Sequence, residues 1–327
     1  MASERDELTR LRGCWSTVAP AKLATDYSLL AEFGGVFAAR SRSGHAGIVI
    51  PVAEMSSLAV GRRTAGCELI GHASIRFEFE NRAWDGPAAA LICTDADLVD
   101  AFAVLAVDVL RRVGLGASWQ SILTAVEEWQ ALLAPRGRPS SEAELGLWGE
   151  LWFLNESTDI SRALAGWRGP ERDSTDFFVD GIAVEVKTSK QNRRHHVSQS
   201  QVAAPVGSHD AWLLSVWVKL DPGAATTVPL LADQLLARAL DPADALRRLA
   251  RAGFSPSDRR EYSSGFVVLD EPEWYAVSEV PRVHAADVGV SDLRYRIVLD
   301  GGRRADPVSA RRLREHFHGR KDGGLEG

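Results

Sequence analysis

Cysteine is scarce: Cys14, Cys67 and Cys93 are the only three in 327 residues, and no two form a CxxC pair. That spacing excludes the common zinc-site patterns, and an odd, scattered set does not build a disulfide framework. Such usage suits a reducing compartment. No uncharged apolar run approaches the length of a membrane span. The opening Met1-Ala-Ser-Glu-Arg-Asp-Glu7 is polar and acidic, which predicts no secretory signal. The expectation is therefore a cytoplasmic chain with no membrane partner. Internal repeats and low-complexity segments are also missing. So is any overall excess of positive charge, because the formal net charge is −6. A nucleic-acid partner would consequently need a local basic face rather than a basic chain.

What is present centres on Ser174-Thr-Asp-Phe-Phe-Val-Asp-Gly-Ile-Ala-Val-Glu-Val-Lys-Thr188. Asp180-Gly181 between two β-rich runs is a strong hairpin signal. A two-residue turn there opposes Val179 to Ile182, Phe178 to Ala183 and Phe177 to Val184. The next pair out is Asp176 with Glu185. Residues two apart on a strand share a face, so Asp176, Glu185 and Lys187 point one way while Phe177, Val184 and Val186 point the other. Carboxylates opposed at roughly 5 Å repel. A divalent cation between them, with the lysine alongside, relieves that repulsion. Asp173 competes as first acid, but its parity sets it across the strand from Glu185.

This arrangement resembles the active site of the PD-(D/E)xK nuclease superfamily, with Asp176 as the first acid and Glu185-Val186-Lys187 as the ExK. The upstream helix Glu144-Leu-Gly-Leu-Trp-Gly-Glu-Leu-Trp-Phe-Leu154 extends the likeness, since that superfamily often adds a glutamate from a preceding helix. Together these segments are similar to an uncharacterised bacterial family of PD-(D/E)xK members found near restriction and phage-defence genes. The resemblance spans about residues 140 to 220, and Thr175 stands where the "PD" proline would be. It implies an α/β fold with a restriction-endonuclease-like mixed sheet and flanking helices. It also implies catalytic Glu150, Asp176, Glu185 and Lys187, with Mg²⁺ (Mn²⁺ substituting) held by Asp176, Glu185 and the Val186 carbonyl. On spacing alone, Glu150 is either half exposed or aimed into a cleft.

A basic run leaves directly from this site. Lys187, Lys190, Arg193 and Arg194 are followed by His195 and His196, with no acid before Asp210. A solvated loop is one reading. Phosphate contact by Lys190, Arg193, Arg194 and His196, with Gln199 and Gln201 as further polar groups, is the other.

Three parts are expected. Residues 1–134 form an α+β unit with strands near 35–39, 47–52 and 73–79 and helices over 97–113 and 119–133. Residues 135–220 form the nuclease-like core, opened by a Ser141-to-Glu144 capping box and closed by a buried central strand over 211–218. Residues 221–327 continue the core sheet, with helices at 229–239 and 241–253, strands at 264–269, 274–280 and 293–299, and a frayed tail from Arg303. His316 and His318 in that tail are expected to be solvated. The function expected is Mg²⁺-dependent cleavage of DNA in restriction or phage defence, with other defence subunits or a second copy as partners. The alternatives are a non-cleaving DNA-docking or assembly subunit, and a protein unrelated to nucleic acid.

Overall fold

The computed structural model describes residues 4–16, 27–53, 61–64, 66–79, 82–113, 117–169, 175–202, 210–224, 226–283, 293–299 and 304–319. Asp173, the Pro170 break and the Gly-rich end of the tail lie outside them. The chain divides into two compact units: residues 1–136 with 240–250 and 255–258, and residues 137–239 with 251–254 and 259–327.

The first unit opens with helix α1 (Glu4–Ser16), followed by strands β1 (Tyr27–Phe33), β2 (Val36–Ser41), β3 (Ala46–Pro51), β4 (Arg62–Thr64), β5 (Cys67–Phe79) and β6 (Arg82–Cys93). They form one antiparallel sheet in the order β1-β2-β3-β6-β5-β4. One face gathers Tyr27, Phe37, Ala39, Val49, Ala88, Ala90 and Ile92 into a core. Helices α2 (Val99–Val113) and α3 (Trp119–Leu133) follow, joined by the Trp129 indole N–H donating to Asp108 (2.7 Å). The expected strands and both helices are present. Strands β1, β4 and β6 were not anticipated, because β6 contains Gly86-Pro87, a pair that reads as a turn. Cys67 and Cys93 are Cα partners across β5 and β6, so two of the thiols are neighbours in space despite their separation in sequence. Both are buried, and neither is in a disulfide.

The second unit contains α4 (Ser141–Glu156), α5 (Ile160–Ala165), β7 (Phe177–Val179), β8 (Ile182–Ser189), β9 (Arg194–Ser198), β10 (Asp210–Leu220) and α6 (Val228–Arg238). Helix α7 (Pro242–Arg251) lies mostly in the first unit, and then come β11 (Phe266–Val268), β12 (Glu273–Ala276), β13 (Arg294–Val298) and α8 (Pro307–His318). The main sheet runs β11-β10-β8-β7, with β12 also pairing with β10. Strand β10 is central, parallel to β8 and antiparallel to β11 and β12. Its interior Leu213, Leu214, Val216 and Val218 are buried, which is why a run apolar but for the buried Ser215 was needed there. Strands β9 and β13 form a separate antiparallel ribbon.

Two local expectations require correction. Ser140, not Ser141, caps α4 by accepting from the Ala143 amide (3.1 Å). Glu144 does not close a capping box: it accepts from the Ser264 amide (2.9 Å) and hydroxyl (2.7 Å). A buried carboxylate with two donors from a distant loop gains more than one reaching back to its own helix end. The tail is not frayed over 307–318. Asp306 caps α8 through the Val308 and Ser309 amides, and Phe317 is buried against Phe153 and Trp274. His318 packs edge-on against Trp152 and Phe153, and His316 meets the Arg162 guanidinium at 2.8 Å. Neither imidazole is merely solvated. Among the described residues, no helix is long and apolar enough to cross a membrane.

Candidate active site

Sequence dictates the hairpin at the heart of this unit. Asp180 (φ 48°) and Gly181 (φ 81°) both adopt left-handed backbone, the signature of a type I′ turn, whose twist matches the flanking strands. The register is Val179 with Ile182, Phe178 with Ala183 and Phe177 with Val184, as expected. The ladder ends there. The Asp176 carbonyl turns aside to accept from the Arg168 (2.7 Å) and Gly169 (3.2 Å) amides. Asp176 and Glu185 are therefore not a ladder pair. The Asp176 carboxylate instead crosses to β8, where the Val186 N–H donates to its Oδ2 at 2.7 Å.

Glu150, Asp176, Glu185 and Lys187 line one cleft of about 490 Å³. Lys187 Nζ lies 2.7 Å from Glu185 Oε1, and the Gln201 side-chain amide donates to the same oxygen at 2.6 Å. The other oxygen, Glu185 Oε2, is buried with no hydrogen-bond partner. Glu150 sits on α4, and its Oε2 accepts from the Trp167 indole N–H at 2.7 Å. Two glycines permit these approaches. A Cβ on Gly149 would lie 1.9 Å from Thr188 Oγ1, and one on Gly169 would lie 2.0 Å from Glu150 Oε2. Helix α4 thus packs directly on β8, and the Arg168–Gly169 turn directly on Glu150.

Three carboxylates around one ammonium leave excess negative charge in a desolvated place. Burial raises the pKa of Glu150, and the charges of Asp176 and Glu185 raise it further. Burial raises Asp176 too, against the pull of Lys187 and the Val186 N–H. Burial and then the Asp176 charge push Glu185 up to about 8. For Lys187, burial works against the charged form, but Glu185 and Asp176 outweigh it and the pKa is raised. The carboxylates therefore hold protons readily unless a cation is supplied. Among the described residues, no three His, Cys, Asp or Glu side chains are arranged to hold a metal ion by themselves. The set nevertheless fits Mg²⁺, which commonly takes one or two carboxylates and completes its octahedron with water and substrate phosphate. The orphaned Glu185 Oε2 is the donor atom most directly waiting for such a partner.

The basic run divides. Lys190, Arg194 and His196 are exposed and line the cleft. Arg193 does not: it is buried, donates to the Ser215 (3.1 Å) and Glu271 (3.1 Å) carbonyls, and pairs with Glu273 at 3.2 Å. Its guanidinium is consumed inside the fold, so the expected phosphate contact is withdrawn. Gln199 is exposed and its amide donates to the Leu293 carbonyl, but it does not line the cleft. Gln201, two residues on, does. The turn at 199–202 breaks strand alternation, so spacing could not choose between the two glutamines. His195 and Arg296 were missed as cleft groups, and Trp167 as the buried partner that holds Glu150. His195 is buried against Ser215 Oγ (2.8 Å), and burial, then Lys187 and Arg193, lower its pKa to about 3. Arg296 arrives on β13, about a hundred residues from the hairpin.

The family model described as "Putative PD-(D/E)XK family member, (DUF4420)" matches residues 31–300. The chain belongs to this family. That description points to nuclease, hence hydrolase, chemistry, and the match extends well beyond the 140–220 stretch in which the sequence resemblance was legible. No curated protein and no solved structure matches the chain.

Proposed function

We propose that this protein is a Mg²⁺-dependent endodeoxyribonuclease, acting in the cytoplasm in defence against foreign DNA. The observation that carries the reading is the buried, unpartnered Glu185 Oε2 in a cleft shared with Asp176, Glu150 and Lys187. Mg²⁺, when bound, neutralises phosphate charge and lowers the pKa of water. Asp176 and Glu185 would hold it, with the Val186 carbonyl as an additional ligand. Each carboxylate is already oriented, Asp176 by the Val186 N–H and Glu185 by Gln201 and Lys187. Lys187 Nζ would donate to negative charge developing on the phosphodiester oxygens. Glu150, with Oε2 engaged by Trp167, has Oε1 left to accept or carry a proton. Neutral His195 adds no competing cation beside Lys187.

In the test, supercoiled DNA is incubated with Mg²⁺ and either the parent or its Asp176→Ala and Lys187→Ala variants. The parent should cut, and each variant should lose at least about a hundredfold in rate. Equal cutting by all three contradicts the assignment.

One observation favours a second reading, a DNA-docking subunit that does not cleave. Glu185 Oε1 is already taken by both Lys187 and Gln201, which leaves only Oε2 of that carboxylate for a metal. Calorimetry with no Mg²⁺ or Mn²⁺ heat, alongside retained DNA binding, would select it.

A further inference from the structure

The cleft has an acidic floor and a basic wall, and the wall continues outward onto the β9–β13 ribbon. Strand alternation sorts that ribbon into two faces. His195, Val197, Tyr295 and Ile297 turn inward; Val197, Tyr295 and Ile297 contribute to a small apolar core. Arg194, His196, Arg294, Arg296 and Val298 are exposed on the other face. Its pairs are Arg194 with Val298, His196 with Arg296 and Ser198 with Arg294. Arg296 Nε donates to His196 Nε2 at 3.3 Å. Several other arginines of this unit find carboxylates, as in Arg162–Asp180, Arg259–Asp233 and Arg312–Asp210, and Arg238 and Arg282 donate to backbone carbonyls. Among the described residues, Arg194, Arg294 and Arg296 make no ion pair. In a chain of net charge −6, three uncompensated guanidiniums on one small face are a local exception.

The geometry points to this face as a duplex-DNA contact surface that grips phosphates beside the cleft; the inference rests on the nuclease reading for its choice of phosphate polymer. Arg194, His196 and Arg296 line the same cleft as Asp176 and Glu185, so a strand held on the ribbon would run into the carboxylates. Arg294 and Arg296 are two residues apart, about 6.6 Å along the strand. The exposed set offers no Phe, Tyr or Trp on which unpaired bases would stack, as single-strand binders do. A two-stranded ribbon also fits the width of the major groove. Backbone contact through guanidinium is therefore the chemistry this face offers.

The test is duplex binding against salt, with full chains carrying Asp176→Ala so that bound DNA is not cut. Each phosphate contact contributes about 0.9 to the slope of log K against log salt. Replacing Arg194, Arg294 and Arg296 by alanine should lower that slope by about 2.7, to the same degree on unrelated sequences. Replacing them by lysine should restore most of it, which separates lost charge from lost fold. An unchanged slope in the alanine variant overturns the proposal, and so does single-stranded DNA bound as tightly as duplex. The nuclease reading is scored separately, by wild-type cleavage in Mg²⁺. Cutting with an unchanged slope sinks the ribbon alone, and a lowered slope without cutting sinks the nuclease alone. No duplex binding at low salt sinks both.

Discussion

At the residue scale, the site is a balance between three buried carboxylates and one lysine. Glu185 decides how that balance depends on pH. Its pKa is about 8 in the fold against an ordinary 4.5. An acid whose folded pKa is raised binds its proton more tightly in the native state, so its contribution to metal-free stability is greatest below about pH 4.5. It should decline as pH rises towards about 8 and level off beyond. Glu150 and Asp176, both shifted upward, act in the same direction. Melting of the metal-free protein should thus fall by several degrees between pH 5 and pH 8. Glu185→Gln should flatten the decline, and Mg²⁺ should reverse it in the parent alone. A melting temperature indifferent to both the substitution and the cation would show that Glu185 is not strained. That Asp176 and Glu185 lie close was legible from Asp180-Gly181 and period-two alternation, whereas Glu150 came only from the family resemblance. What held them was not, because Trp167, Gln201 and the turned-aside Asp176 carbonyl depend on tertiary packing that no strand pattern encodes.

At the element scale, the hairpin, β10 and α4 were legible because each carries a local signal: a type I′ turn pair, an apolar run, and an apolar stripe after a serine pair, although the capping serine is Ser140 rather than Ser141. The basic run was misread in part. Arg193 and Arg194 are neighbours with the same chemistry and opposite fates. Asn192 and Arg193 have positive φ (33° and 52°), and this kink at the start of β9 turns one guanidinium inward and leaves the next outside. Arg193 ties β9 to β10 through the Ser215 carbonyl and to β12 through Glu273. Removing one member of a buried ion pair costs about 3–5 kcal/mol. Arg193→Ala should therefore lower the denaturation free energy by roughly 3 kcal/mol. Arg194→Ala should change it by less than about 0.5 kcal/mol. Comparable losses in urea melts of the two variants would refute this division. The partner strand β13 carried a weak signal, Arg294-Tyr-Arg-Ile-Val298, but nothing in sequence said that it pairs with β9.

At the scale of the whole molecule, an acidic chain is compatible with a DNA substrate only if its charges are segregated. The second unit meets that condition locally, with Glu150, Asp176 and Glu185 on the cleft floor and Arg194, Arg294 and Arg296 on the adjoining ribbon. The family match over residues 31–300 takes in most of the described first unit as well as the second. Nuclease activity in this cleft depends on a cation sitting between Asp176 and Glu185. Crystals soaked in Mn²⁺ and measured for anomalous scattering test this most directly. A peak within about 2.3 Å of Glu185 Oε2 and a carboxylate oxygen of Asp176, lost in Glu185→Gln crystals, is the predicted result. A map with no anomalous density in the cleft at saturating Mn²⁺ would contradict it.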